Sequence, residues 1–97
     1  MGARLVGLNV RGLRDSQALF ALIREANRKR SDVLFLQEVN VRRAQVEQFT
    51  KNAADFGFDA YVSSSSSPGE RGGTAVLVRK EGPVRVSGVV ISGTIYR

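Results

Sequence analysis

The sequence predicts an α/β domain in which helices cover one face of a mixed β-sheet. Short apolar runs typical of strands alternate with two amphipathic helical segments in the first half, and further strand-like runs follow. The resulting order, β-α-β-α-β-β-β, favours a layered arrangement of sheet and helices. The 97 residues are enough for one small domain, and no internal linker is indicated.

The first strand and the first helix are predicted between positions 4 and 30. The run RLVGLNV at 4–10 is apolar and contains Asn9 at its end. Asp15 or Ser16 can cap a helix that continues to about Arg30. Apolar residues recur on this helix at the spacing of a core-facing stripe: Leu19, Leu22, Ile23 and Ala26.

The second strand is predicted at 33–37, and its run of aliphatic and aromatic residues is typical of a strand buried on both faces. A second helix is predicted from Val41 or Arg42 to Asp55, and Gly57 supplies a C-terminal stop. The predicted core positions of this helix are Val46, Phe49 and Ala53.

Strands and turns are predicted throughout the second half. The segment at 58–63 alternates apolar and polar residues, strands are also predicted at 74–79 and 84–91, and the residues at 93–97 resemble the start of another strand. The stretch at 63–73, rich in serine and glycine, is predicted to be a flexible loop. Because two helices can cover only one side of the sheet, we expect an amino-terminal part of a larger domain. We expect that its carboxy-terminal half is missing and comes from the remainder of the same polypeptide.

Charge and composition narrow the classes of function. Fifteen Lys and Arg residues against nine Asp and Glu residues give a net charge of +6, which favours anionic partners, nucleic acid first. An arginine-rich proteome would produce the same balance. The absence of histidine excludes Ser–His–Asp hydrolysis and histidine zinc sites on this chain alone, and the absence of cysteine excludes thiolate sites. No apolar run is long enough to span a membrane, and we expect an intracellular protein, cytoplasmic or nuclear.

Glu38 and Asn9 are the strongest candidates for a functional site. Glu38 follows a buried strand, where a carboxylate is costly unless its charge is needed. Alternatively, Glu38 caps the next helix or pairs with Arg42 at i+4. Asn9 ends the neighbouring strand, where its amide could donate to a phosphate oxygen or hold a carboxylate. The alternative for Asn9 is a turn asparagine that hydrogen-bonds its own backbone.

Three runs, GLNVRGL at 7–13, VLFLQEV at 33–39 and GGTAVLVR at 72–79, resemble the endonuclease/exonuclease/phosphatase superfamily in order and spacing. The first run and the serine-rich, arginine-bearing loop before the third are most similar to the endonuclease domains of non-LTR (LINE-type) retrotransposons. The superfamily includes abasic-site endonucleases. The resemblance implies that the chain forms the amino-terminal part of a four-layer α/β sandwich with two packed sheets. It also implies hydrolysis of phosphodiester bonds with Mg²⁺ or Mn²⁺, and DNA as the partner.

The resemblance also assigns site residues. Glu38 matches the family's metal-ligating glutamate and Asn9 its asparagine at the end of the first strand, so both are expected to be catalytic. Arg11 stands where some abasic-site enzymes have an acidic residue, which puts a second acidic ligand from this loop in doubt. Arg11 and Arg71 are candidate phosphate or DNA contacts, with a solvated turn as the alternative for Arg71. Gln37 is expected to be a buried, hydrogen-bonded supporter.

The family's later motifs are an active-site tyrosine, an Asp-x-Asn pair and a Ser-Asp-His ending, and none of them is in these 97 residues. The isolated chain is therefore expected to be inactive. Two other functions stay open: a phosphatase of the same superfamily that acts on small or lipid phosphates, and a non-catalytic nucleic-acid-binding remnant.

Overall fold

The computed structural model describes residues 4–10, 12, 16–63 and 73–84, which form one sheet and two helices. The elements are β1 (Leu5–Asn9), α1 (Ser16–Arg28), β2 (Val33–Gln37), α2 (Val46–Asp55), β3 (Phe58–Ser63) and β4 (Thr74–Arg79), with a 3-10 turn (Arg43–Gln45) before α2. The predicted α/β class is confirmed. The strand predicted at 93–97 and all but the first residue of the one at 84–91 lie outside the described residues.

The sheet is mixed, and its strand order is β1-β2-β4-β3. β1 and β2 are parallel, as expected for two strands joined through a helix, whereas β4 is antiparallel to both β2 and β3. β1, β2 and β3 therefore finish at the same end of the sheet, and β4 starts there. We refer to this end as the site end.

Both helices bury their apolar stripes on one face of the sheet. In α1 the predicted core residues Leu19, Ile23 and Ala26 are buried, and Leu22 packs against them partly buried. The predicted core residues of α2 are confirmed as well. Each large apolar side chain removed from water contributes about 1.5–3 kcal/mol, so this layer supplies most of the stability of the described part. The sheet residues in this core are Leu34, Leu36, Phe58, Ala60, Val62, Ala75 and Leu77.

The opposite face of the sheet carries apolar side chains that no described element covers. Leu5 is 59% exposed and Phe35 is 46% exposed, and Phe35 is paired with the half-buried Val76 on β4. We call this face, with Leu5, Phe35 and Val76, the open face. The prediction that β2 is buried on both faces is therefore wrong at Phe35, because both helices lie on the other side of the sheet.

The helix ends differ from the predicted ones because local hydrogen bonds terminate the helices. Arg30, the predicted last residue of the first helix, has a left-handed φ of 55°, and its N–H donates to the Asn27 carbonyl over 3.1 Å. Before α2, the Arg42 N–H donates to Gln45 Oε1 and the Gln45 N–H donates back to the Arg42 carbonyl. This reciprocal pair forms a 3-10 turn where a helix was predicted. The stop at Gly57 is confirmed by its φ of 91°.

Arg79 holds the end of the sheet that is remote from the site end. Its Nε and Nη2 donate to the Ser31 carbonyl over 3.1 and 2.7 Å, and its Nη1 donates to Asn27 Oδ1 over 2.7 Å. The guanidinium also lies 4.6 Å from the centroid of the Phe58 ring. Arg79 thus ties β4 to the connection between α1 and β2, a structural use of a cation.

Helix α1 ends with exposed charges that neutralise one another in part. Arg28 Nη2 donates to Glu25 Oε1 over 2.6 Å, and Lys29 Nζ lies 3.6 Å from the same oxygen. The hydrogen bond from Arg28 is the main cause that lowers the pKa of the Glu25 carboxyl to about 2. Neither α1 nor α2 is long and apolar enough to cross a membrane, and the described residues contain no other helix that is.

Candidate functional site

Two residues with side-chain amides and one with a carboxylate lie at the site end of the sheet. Asn9, the last residue of β1, is the register partner of Gln37, the last residue of β2. The pairing continues one step further, because the Val10 N–H donates to the Gln37 carbonyl over 3.0 Å. Glu38 follows directly, and the side chains of Asn9, Gln37 and Glu38 are exposed. The structure thus brings together the three candidates that the sequence placed at strand ends.

The backbone at Glu38 is held in a left-handed conformation with a φ of 55°. For a residue with a Cβ, this conformation costs about 1–2 kcal/mol. Two hydrogen bonds fix the following peptide unit: the Glu38 carbonyl accepts from the Gly12 N–H over 2.7 Å, and the Val39 N–H donates to the Gly73 carbonyl over 3.2 Å. We call this arrangement the Glu38 clamp. Such strain persists where the surroundings impose the conformation, and it concentrates at functional sites.

The residues after Glu38 anchor the clamp in the core. Val39 and Val41 are fully buried, and Asn40 between them has a φ of 53°. Gly12 has a φ of 108°, which only glycine adopts readily, and a Cβ at this position would lie 3.6 Å from Asn40 Nδ2. The turn after β1 therefore packs closely against the loop after β2. This contact keeps the Glu38 backbone at a fixed place relative to β1.

The alternatives for Glu38 are not formed in the described part of the chain. The Glu38 carboxylate makes no ion pair there, and the N-cap positions of the 3-10 turn and of α2 are Arg42 and Gln45 rather than Glu38. Asn9 is the last residue of β1. Both side chains are exposed, so that a ligand can reach them.

The expected burial of Gln37 is wrong. Its side chain is exposed, because it points to the open face of the sheet, where the described residues provide no covering layer. Its place beside Asn9 nevertheless keeps it at the site. Arg11 and Arg71 lie outside the described residues.

The donor set suits a hard divalent cation held by few protein ligands. Among the residues that the structure describes, no group of three or more His, Cys, Asp or Glu side chains could hold a metal ion, so Glu38 is a single carboxylate. Mg²⁺ commonly binds through one or two carboxylates, several waters and substrate phosphates. An exposed carboxylate on a rigid loop fits this pattern. The amides of Asn9 and Gln37 add hydrogen-bond donors for an anion.

The residues that sequence reasoning missed are those of the Glu38 clamp. Gly12 and Gly73 both bind the peptide unit between Glu38 and Val39, but each was assigned only to a turn or a loop. The available signal was the position of each glycine, one just after β1 and the other just before β4.

The comparisons with known proteins concern the family and the fold. The sequence model of the Endonuclease/Exonuclease/phosphatase family matches residues 6–91. An AP endonuclease from Archaeoglobus fulgidus has a similar fold, with a TM-score of 0.59 and 20% sequence identity, over 79% of this chain. The matched part spans 27% of that endonuclease chain. No curated protein matches.

Proposed function

Because this chain belongs to the endonuclease/exonuclease/phosphatase family, we propose that it is the amino-terminal part of a metal-dependent phosphodiesterase domain. The most specific form of the proposal is the DNA endonuclease domain of a retroelement polyprotein. The observation that carries it is the Glu38 clamp, which fixes the backbone of an exposed carboxylate residue directly after Gln37, the register partner of Asn9. The 27% share of the AP endonuclease chain and the open face, which no described element covers, support a partial domain.

Each site residue has a distinct task in this proposal. Glu38 would supply a carboxylate oxygen to hold Mg²⁺ or Mn²⁺, which would provide positive charge for the scissile phosphate. Asn9 donates its amide N–H to a phosphate oxygen and so orients the phosphodiester. A base that activates water and a group that assists the leaving oxygen come from other residues of the complete domain.

DNA is the proposed substrate for two reasons. The net charge of +6 favours a polyanion, and the run NVRGL at 9–13 with the serine-rich loop resembles retroelement endonucleases. A phosphatase that acts on small or lipid phosphates would share Glu38 and the metal but would not require duplex DNA. A non-catalytic remnant would bind DNA without cleaving it.

Nicking of supercoiled plasmid by the complete protein tests the proposal. Wild type is expected to nick in the presence of Mg²⁺, and Glu38→Ala is expected to abolish nicking without unfolding the protein. Glu47→Ala is the matched control, because Glu47 is an exposed carboxylate in the first turn of α2, away from the clamp. Near-wild-type turnover of Glu38→Ala would remove Glu38 from the site.

Binding across a salt series separates the other functions. For a DNA enzyme, the logarithm of the association constant for duplex DNA falls linearly with the logarithm of salt concentration, because phosphate contacts release counterions. Hydrolysis of small or lipid phosphates without binding to duplex DNA would identify a phosphatase. Salt-dependent binding without any hydrolysis would identify the remnant.

A further inference from the structure

A row of four polar residues crosses the sheet at the site end. The strand register pairs Asn9 with Gln37 and Gln37 with Thr74, and Thr74 also pairs with Ser63 on β3. Directly paired residues of neighbouring strands share a face, so the four side chains form one polar row on the open face. Every strand of the described sheet contributes one residue to this polar row.

The polar row is confined to the site end. Two positions further along β2 and β4, on the same face, the register pair is Phe35 with Val76, which is entirely apolar. On the helix-covered face, the neighbours of Thr74 and Gln37 are the buried Ala75 and Leu36. The change from apolar to polar residues thus occurs at the end where Glu38 is clamped.

Thr74 is the unusual member of the polar row. Its Oγ1 is buried, and among the described residues it has no hydrogen-bond partner. A buried hydroxyl without a partner costs free energy, and such groups are rare in folded proteins. Gln37, directly across the strand pair, has an exposed amide with both a donor and an acceptor.

We propose that Thr74 is a positioning residue that orients the Gln37 amide toward an anionic ligand. In the ligand-bound state, Thr74 Oγ1–H donates to Gln37 Oε1, and Gln37 Nε2 then donates to a phosphate oxygen. Phosphodiester oxygens only accept hydrogen bonds, so the amide is useful only when its oxygen is turned away from the ligand. The Cβ atoms of directly opposed residues lie about 4.5–5.5 Å apart, a distance that a glutamine side chain spans.

The choice of a phosphodiester ligand rests on the proposed function, whereas the Thr74–Gln37 pair rests on the register and the buried hydroxyl. A purely structural role is the alternative, since threonine is a favoured strand residue through its β-branched shape. The two roles depend on different atoms of Thr74. Orientation of Gln37 requires the hydroxyl, and strand packing requires the branched carbon skeleton.

Two substitutions in the complete protein separate these roles. Thr74→Val removes the hydroxyl and keeps the shape, whereas Thr74→Ser keeps the hydroxyl and removes the methyl group. We expect kcat/KM for nicking to fall about tenfold to a hundredfold in Thr74→Val and to stay close to wild type in Thr74→Ser. The melting temperature of Thr74→Val is expected to equal or exceed that of wild type. Thr50→Val, on α2, is the matched control and should leave kcat/KM unchanged.

Wild-type activity in Thr74→Val would overturn the inference. Equal losses in Thr74→Val and Thr74→Ser would overturn it as well, because they would show that shape rather than the hydroxyl matters.

A second measurement does not depend on hydrolysis. The side-chain amide signal of Gln37 is followed by NMR while the dinucleotide dTpdT is added with Mg²⁺. A shift in wild type that is lost in Thr74→Val supports the inference, even if no form of the protein cleaves DNA and the proposed function fails. A Gln37 amide that does not respond in wild type, or that responds equally in Thr74→Val, would refute the inference.

Discussion

The left-handed backbone at Glu38 leads us to predict a difference in stability between two variants, and this difference depends on neither metal nor substrate. Glu38→Gly and Glu38→Ala both remove the carboxylate, but only glycine adopts a φ of 55° without strain. The difference in unfolding free energy between these two variants therefore measures the strain that the Glu38 clamp imposes. We expect the glycine variant to be the more stable one.

The magnitude follows from two opposing terms. A Cβ in the left-handed conformation costs about 1–2 kcal/mol, and alanine retains that cost. Glycine gains freedom in the unfolded chain, which offsets about 0.4–1 kcal/mol of the advantage. The net expectation is that Glu38→Gly is more stable than Glu38→Ala by about 0.5–1 kcal/mol.

Urea denaturation of both variants of the complete protein, followed by circular dichroism, gives this difference from the midpoints at constant slope. Lys51, exposed in the middle of α2, supplies the matched control. There the order should reverse, because glycine in a helix interior is less stable than alanine by about 1 kcal/mol. If Glu38→Ala were as stable as Glu38→Gly, or more stable, the clamp would impose no strain and this reasoning would be refuted.

Three further predictions concern stability. Arg79→Ala should destabilise the complete protein by about 2–3 kcal/mol, because it leaves the buried Ser31 carbonyl without the donor of its hydrogen bond. Arg24→Ala, which changes an exposed residue of α1, is the control and should change the stability measured in thermal melts by no more than about 0.5 kcal/mol. Because the pKa of the Glu25 carboxyl is lowered in the folded protein, the stability that its pairing with Arg28 adds is present above about pH 4.5 and is lost as the pH falls toward 2. Glu25→Gln should remove this part of the pH dependence of stability. Equal stability at every acidic pH in Glu25→Gln and wild type would contradict the prediction. The isolated 97-residue chain should show no nicking activity, bind a hydrophobic dye through its open face and melt without a sharp transition, and a cooperative melt of a soluble monomer would argue against the partial domain.

The elements predicted best from the sequence are those that short, contiguous residue patterns define. β3 and β4 occupy the predicted positions because alternating or continuous apolar residues are bounded there by glycine and by turn residues. The boundaries of α1 and α2 were less accurate, since they depend on a left-handed Arg30 and on the hydrogen bonds between Arg42 and Gln45. The spacing of hydrophobic residues along the sequence does not indicate such local hydrogen bonds.

Features that depend on distant parts of the chain could not be predicted. The exposure of Phe35 depends on which face of the sheet the helices cover. A continuous apolar run does not indicate which of its side chains face the helices. Asn9 and Glu38 were predicted to be site residues from their positions at strand ends, but the left-handed conformation of Glu38 was not predicted. Its conformation requires Gly12 and Gly73, which belong to different loops.

The position of β4 between β2 and β3 has a consequence for the order of folding. Within the described sheet, β3 pairs only with β4, although β4 follows it in the chain. During synthesis, β1, α1 and β2 can assemble as soon as they are made, because β1 and β2 pair directly. β3 has no hydrogen-bonded neighbour in this sheet until the chain has been synthesised to Arg79. When β4 arrives, it completes two strand pairs in one step, and it brings Gly73 to the Val39 N–H in the same movement. Within the described sheet, the Val39–Gly73 hydrogen bond of the Glu38 clamp therefore depends on the pairing of β4, and a nascent chain that stops before Thr74 has no β4 to bring Gly73 to the Val39 N–H.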